Sequence, residues 1–421
     1  MGTGVMIGAG IFALTGQIAE LAGPLFPFAF VLGALVTAFA AYSYIKMSNA
    51  WPSAGGIAMI LQKAYGPGTI AASASVLMAL SMVINESLVA RTFATYALRP
   101  FDLQDSYLPV AGLSLALIAF AYFVNVSGNR SISLFSLVMS GLKIAGITLF
   151  AIAALWAGGF GGGALAEPVS QQDPIGFIAS VAFAVLAFKG FTTITNSGDE
   201  LVDPHKNVGR TIMIAIAICF VTYMLVALAV GSSLDTEEII AARDYSLAAA
   251  AAPVLGNVGF YLTILLALAA TASGIIASVF AVSRMLTMLT EMKMIPHSHF
   301  GMSGPIRRHL VVYTVVIAGT LAVLFDLGRI ASLGAFFYLV MDMLVHWGVF
   351  RNLRHEIGAR ASILLGALAL DAVVLAALAV IKLRTDPMVV LYAVIGIAAV
   401  FLFERYWLAQ SQESKEADAA D

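Results

Sequence analysis

The chain has 421 residues, 61% of them hydrophobic and 11% charged, with a net charge of −2. Soluble domains are about a quarter charged, so this composition describes a polytopic membrane protein; the near-neutral balance without a basic run excludes a nucleic-acid surface. The single cysteine, Cys219, has no intrachain partner and reads as a small apolar core residue.

Apolar segments fall at about 1–22, 26–45, 69–98, 107–125, 133–157, 174–196, 208–233, 258–283, 310–325, 330–350, 361–381 and 388–404. Most approach the roughly 20 residues that cross a bilayer core. They predict an all-α bundle of about twelve transmembrane helices joined by brief polar connections. Barrel strands would be shorter and alternating.

The first span places Gly2, Gly4, Gly8, Gly10 and Gly16 around Ile7 and Ala9. Gly4 and Gly8 have the spacing of a close helix contact. Gly8-Ala9-Gly10 is denser than packing requires, and an unwound segment there exposes backbone N–H groups that hold a carboxylate. Seven residues precede Gly8, whereas half a bilayer takes roughly ten helical residues, so the first half-helix is expected to be incomplete.

Ionisable groups punctuate later spans. Glu86 is near the middle of the third, with Arg91 about 140° around the helix from it, and Lys143 is near the middle of the fifth. Lys189 lies deep in the sixth span, beside Gly190 and between Phe188 and Phe191. A cation there costs at least ~2.5 kcal/mol on insertion scales and needs a partner or a wet cavity. Glycine weakens the helix at the same point. The first and sixth spans are thus both glycine-interrupted, the signature of an inverted-repeat carrier with a midplane site. Asp342 and His346 share a face of the tenth span and are expected to form a satisfied hydrogen-bonded pair, with a proton relay as the alternative. Asp371, in the eleventh, is expected to serve helix contact or an oligomer interface rather than transport. Asp199, Glu200, Asp203, Lys206 and Arg210 cluster at one end of the sixth span, as an inner gate or a solvated helix end. The acidic tail after Gln410 is expected to be disordered.

Four motifs in order resemble the amino acid–polyamine–organocation (APC) permeases: Met6-Ile7-Gly8-Ala9-Gly10-Ile11-Phe12, Pro52-Ser53-Ala54-Gly55-Gly56, Phe188-Lys189-Gly190-Phe191 with Gly198-Asp199-Glu200 and Asp203-Pro204-His205-Lys206-Asn207, and Arg284 through Met294-Ile295-Pro296. The resemblance implies a five-plus-five inverted repeat with discontinuous first and sixth helices. It divides one transporter domain, 1–408, into repeats of about 1–157 and 174–350 and extra helices at about 361–404, with 409–421 as a cytoplasmic tail. It implies a substrate carboxylate at Ile7, Gly8, Ala9 and Gly10, and an amino group at the break formed by Phe188, Lys189 and Gly190, with Phe188 and Phe191 lining or gating the pocket. On the same ground Lys143 takes the space that sodium fills in sodium-coupled relatives, near Ser273 and Ser278. By its position, Glu86 is expected to be the counter-charge of Lys189 or Lys143 or part of a proton path, with a purely structural ion pair to a neighbouring helix as the alternative. Lys189 departs from the uncharged or acidic residue of many relatives.

Placing both termini in the cytoplasm puts 14 of the lysines and arginines inside, 5 outside and 3 within spans, which satisfies the positive-inside rule in a plasma (inner) membrane. The expected function is secondary transport of amino acids or related amines by alternating access, sodium-independent and driven by protons or exchange. The alternatives are an acidic amino acid held by Lys189, and a sensor that binds without carrying. An enzyme is not expected: His355-Glu356 lacks the second zincin histidine, and Gly301-Met302-Ser303-Gly304 has no placed base. No cofactor or metal is expected, and the partners are a small molecule and lipid, with an oligomer left open.

Overall fold

The computed structural model describes residues 2–53, 55–127, 130–159, 161–169, 173–196, 198, 201–295 and 305–418. Asp199, Glu200 and the Gly301–Gly304 segment lie outside them. The described residues form fifteen α-helices and no strand. They are α1 (Gly2–Ala22), α2 (Phe26–Ala50), α3 (Gly56–Tyr65), α4 (Thr69–Leu98), α5 (Tyr107–Ser127), α6 (Arg130–Gly158), α7 (Pro174–Phe188) and α8 (Thr192–Thr195). There follow α9 (Pro204–Ser233), α10 (Thr236–Ala241), α11 (Ser246–Glu291), α12 (Ile306–Leu324), α13 (Leu327–Gly348), α14 (Ala361–Thr385) and α15 (Pro387–Asp418). Among the described residues, eleven segments are long and apolar enough to cross a membrane. The first, Gly10–Ala50, contains a 3-10 turn at Gly23–Leu25 that separates α1 from α2. With those two helices taken separately, the spans match the twelve expected.

Burial sorts the helices into inner and outer sets. α1 is enclosed, with Ile7, Ile11, Phe12 and Ile18 fully buried, and α4, α7 and α13 are also largely interior. α5, α14 and α15 form the outside. Their exposed side chains include Phe120, Phe123, Leu383, Leu402 and Phe403. Apolar surface of this kind belongs in lipid. Lipid removes the hydrophobic drive between helices, so association relies on close packing of small residues. Gly33 of α2 accordingly lies against Ala184 of α7, where an added Cβ would come within 2.5 Å of the alanine methyl.

Three elements differ from expectation. The span at 258–283 is part of a longer α11, which begins with a separate helical piece ahead of Gly256, where φ is 65°. Pro253, which lacks an N–H, precedes that bend. α10 is capped by Asp235 and Glu238, a reciprocal box legible in Asp235-Thr236-Glu237-Glu238. The tail is not irregular up to Asp418: α15 runs on through it. Glutamine, glutamate, lysine and alanine are good helix formers, and a preceding helix removes the cost of nucleation.

Candidate functional site: two helix breaks in contact

The sixth span breaks where glycine and charge place it. α7 ends at Phe188, a 3-10 turn occupies Lys189–Phe191, and α8 resumes at Thr192. Carbonyls freed at such a turn need donors in a membrane interior. Threonines supply them: Thr192 donates to the Lys189 carbonyl at 3.0 Å, Thr193 to Gly190 at 2.8 Å and Thr195 to Thr192 at 2.6 Å. In α1 the only departure from helical geometry is at Ile7, with φ −82° and ψ 21°. This is a one-residue kink just before the expected Gly8–Gly10 segment, which itself stays helical. Gly8 and Ala9 lie outside the residues whose side-chain surroundings are described.

The two breaks touch. A Cβ on Gly190 would lie 2.7 Å from the Met6 nitrogen, and one on Gly10 would lie 3.0 Å from the Ala187 Cα and carbonyl oxygen. Both glycines therefore serve close approach of backbone to backbone. Tyr223 of α9 closes the junction. Its hydroxyl donates to the Met6 carbonyl at 2.6 Å and stands 3.2 Å from that of Ala187. Those carbonyls sit at the kink and at the end of α7. Tyr223 is fully buried and packs on Phe188, with ring centroids 5.0 Å apart. Sequence reasoning passed over it, although a phenol within an apolar span always needs a partner.

Lys189 is buried, donates to Ser81 of α4 and lies over the Tyr338 ring of α13 at 5.2 Å. A cation over an aromatic face is stabilised by the ring quadrupole, more so when desolvated. Glu86 is wholly buried; its Oε1 accepts from Ser278 of α11 at 3.2 Å and its Oε2 has no partner. No direct ion pair joins Lys189 to Glu86 among the described residues. A cavity of about 20 Å³ lies at the junction. Met6, Gly10, Asn85, Lys189, Gly190 and Ser278 are among the residues that line it. That is room for about one water, so a larger solute enters only if the helices separate. Ile7, Phe188 and Phe191 do not line it. Phe188 braces Tyr223, while Phe191 meets Tyr44 of α2 edge-on at 5.4 Å. A larger hollow of about 720 Å³, between α5 and α12, is apolar and has no ionisable lining group apart from the Tyr122 phenol.

Lys143 is buried in α6, 3% exposed, and so does not reach a solvated surface. Of the hydroxyls expected near it, Ser273 donates to carbonyls of its own helix and Ser278 donates to Glu86, and the oxygens of both keep lone pairs that can accept. The structure thus brings Lys189, Gly190 and Gly10 to one cavity, attaches Glu86 to it through Ser278, and leaves Lys143 outside its lining.

Polar and close backbone contacts tie the helices together at both ends of the bundle. At one, Gly16 of α1 is overlain by the Arg243 backbone, Glu20 pairs with Arg243 at 2.5 Å, and Gln17 donates to Asp244 at 2.7 Å. Burial raises the Asp244 carboxyl above its ordinary range, against the lowering pull of Arg243 and Gln17. At the other end, His205 bonds the Asn49 carbonyl at 2.8 Å, and the Asn49 side chain accepts from the Gly209 N–H at 3.1 Å. Asp203 and Lys206 stand exposed at that end.

The model of the amino acid permease family matches residues 1–405. The chain belongs to that family. An inner membrane transport protein of Escherichia coli is 29% identical over 372 residues, covering 87% of this chain and 84% of its own. A branched-chain amino acid permease of Bacillus subtilis is 25% identical over 256 residues, covering 54% and 51%. A methylthioribose transporter of the same organism is 29% identical over 247 residues, covering 54% and 52%. The permease is therefore an integral membrane transporter of a small molecule, not an enzyme, as its APC-like motifs imply.

The clasp at the two breaks gives a first test. In Tyr223→Phe the ring keeps its packing while the Met6 and Ala187 carbonyls lose their donor. The expected loss is ~1–3 kcal/mol of stability, read as a lower unfolding temperature in detergent. An unchanged temperature together with unchanged uptake refutes the clasp.

Proposed function

We propose that this permease moves amino acids or related amines by alternating access, with the α-carboxylate held by backbone N–H groups at Ile7–Gly10 and the ammonium by carbonyls at Phe188–Gly190. The observation that carries it is the direct contact of the two helix breaks at a polar cavity, Gly10 on Ala187 and Gly190 on Met6. Backbone groups recognise the scaffold that amino acids share, which suits a carrier more than a chemistry-specific enzyme. The small cavity suits a cycle in which the helices part on either side in turn. A five-plus-five repeat, cytoplasmic termini and residence in the plasma membrane belong to the same proposal.

Coupling is assigned to protons or to exchange, without sodium. The family resemblance supports Lys143, a buried lysine, in the place of a coupling ion, and Glu86 is a buried carboxylate with one unmet oxygen. Lys189 favours an acidic amino acid as a second reading, since its ammonium lines the cavity.

Counterflow in proteoliposomes loaded with unlabelled amino acids is the test. Labelled substrate is expected to accumulate transiently, without sodium, and absence of exchange for every amino acid and polyamine tried sinks the carrier in favour of a sensor. In Lys143→Ala the response of uptake to an imposed pH gradient is expected to vanish while binding persists. An unaltered response removes Lys143 from coupling.

A further inference from the structure

Asp342 and His346 lie one turn apart on α13, and Asp371 comes to them from α14; all three are wholly buried. The expected pair of Asp342 and His346 is present as a charge contact rather than as a hydrogen bond. His346 Nε2 is 3.5 Å from Asp342 Oδ2 and 3.3 Å from Asp371 Oδ2, and none of these three atoms makes a hydrogen bond. Asp371 Oδ1 is unpartnered as well. One donor atom from each residue falls within 4.8 Å of the others. One polar atom from each of three residues, brought together without a hydrogen bond in a dry interior, is costly unless something lies between them.

The spacing and the surroundings say what fits. Zinc-class ions hold nitrogen and oxygen ligands at about 2.0–2.2 Å in a tetrahedron, which sets neighbouring ligand atoms roughly 3.3–3.6 Å apart. Both observed separations from Nε2 fall in that range. The remaining atoms are already oriented from α2: Ser43 Oγ meets His346 Nδ1 at 2.8 Å, and the Tyr44 hydroxyl donates to Asp342 Oδ1. With Nδ1 protonated and donating to Ser43, Nε2 presents its lone pair inward, the outer-sphere arrangement that fixes metal-binding histidines. Two carboxylates and a neutral imidazole balance a divalent charge. Water or Asp371 Oδ1 completes the fourth position.

We propose that Asp342, His346 and Asp371 bind one zinc-class divalent cation, which pins α14 to α13 against α2. The site holds no substrate and does not rest on the transport proposal. Its position gives it a consequence for the cavity all the same. Tyr338, the ring beneath Lys189, is one turn from Asp342 on α13, and Tyr44 packs on Phe191 at the break. A bound cation fixes that wall.

The test uses the full chain, purified without a histidine tag, stripped with a chelator and titrated with Zn²⁺ or Co²⁺. One tightly held equivalent per chain is expected by elemental analysis, with intense visible Co²⁺ bands of tetrahedral type and a higher unfolding temperature with Zn²⁺. His346→Gln and Asp371→Asn should each weaken binding more than tenfold, and Ser43→Ala about tenfold through the histidine's orientation. Substoichiometric metal in the wild-type protein overturns the site. So does retention of the same metal by the folded variants, which marks adventitious surface binding. Absence of tetrahedral Co²⁺ bands overturns it without any variant, and a cluster holding only protons gives that result.

Discussion

Gly190→Ala is expected to leave a folded, membrane-inserted protein with uptake reduced on the order of 100-fold. The added methyl would sit 2.7 Å from the Met6 nitrogen and 3.0 Å from its Cα. Backbone cannot yield as a flexible side chain does, so α1 must move off the turn. Overpacking of this kind costs ~1–3 kcal/mol in stability. Function suffers more, because a displacement of about 1 Å in groups that orient a ligand can cost two orders of magnitude. Gly112→Ala on α5, where nothing lies within 4 Å of the new methyl, is the control and is expected to behave as wild type. Comparable uptake in the two variants, at matched membrane levels, removes the junction of the breaks from the transport site.

The second large effect concerns Lys189 and Glu86, which share a buried polar region through Ser81, Ser278 and the cavity between them. Removing one buried charge strands the other, at ~3–5 kcal/mol for closely paired groups. Lys189→Met and Glu86→Gln are each expected to lower the unfolding temperature and cut uptake at least tenfold. The double variant keeps near-neutral chemistry at both positions and is expected to be more stable than either single one. Recovered stability without recovered uptake shows that at least one of the two acts in transport beyond partnering the other. Strict additivity in stability shows that the two charges do not depend on each other.

Much of this was legible along the chain, and the limits have a physical pattern. The break at Lys189–Gly190 was visible because local causes make it: a helix-weakening glycine, and threonines whose hydroxyls satisfy the freed carbonyls. The break in α1 was misplaced by a residue. Its position depends on contact with α7 and α9, where Tyr223 takes up the Met6 carbonyl, and composition carries no such information. Asp342 and His346 announced themselves by helical spacing, whereas Asp371 joins them across α13 and α14, a meeting no spacing rule encodes. The same holds for Ser81 beneath Lys189 and Ser278 beside Glu86. Spacing along one helix reveals faces; partners on other helices appear only when the bundle is assembled.

The Tyr223 hydroxyl has one proton and two carbonyls within reach, at 2.6 and 3.2 Å. At any instant it serves one helix break fully and the other weakly, and here the first helix has the better share. When α1 tilts away from α7, rotation about the phenol C–O bond hands that proton to one carbonyl and takes it from the other. The two half-helices thus draw on a common donor, so that loosening one is accompanied by tightening the other. Under the proposed cycle, parting these helices would exchange which of the two carbonyls holds the Tyr223 proton.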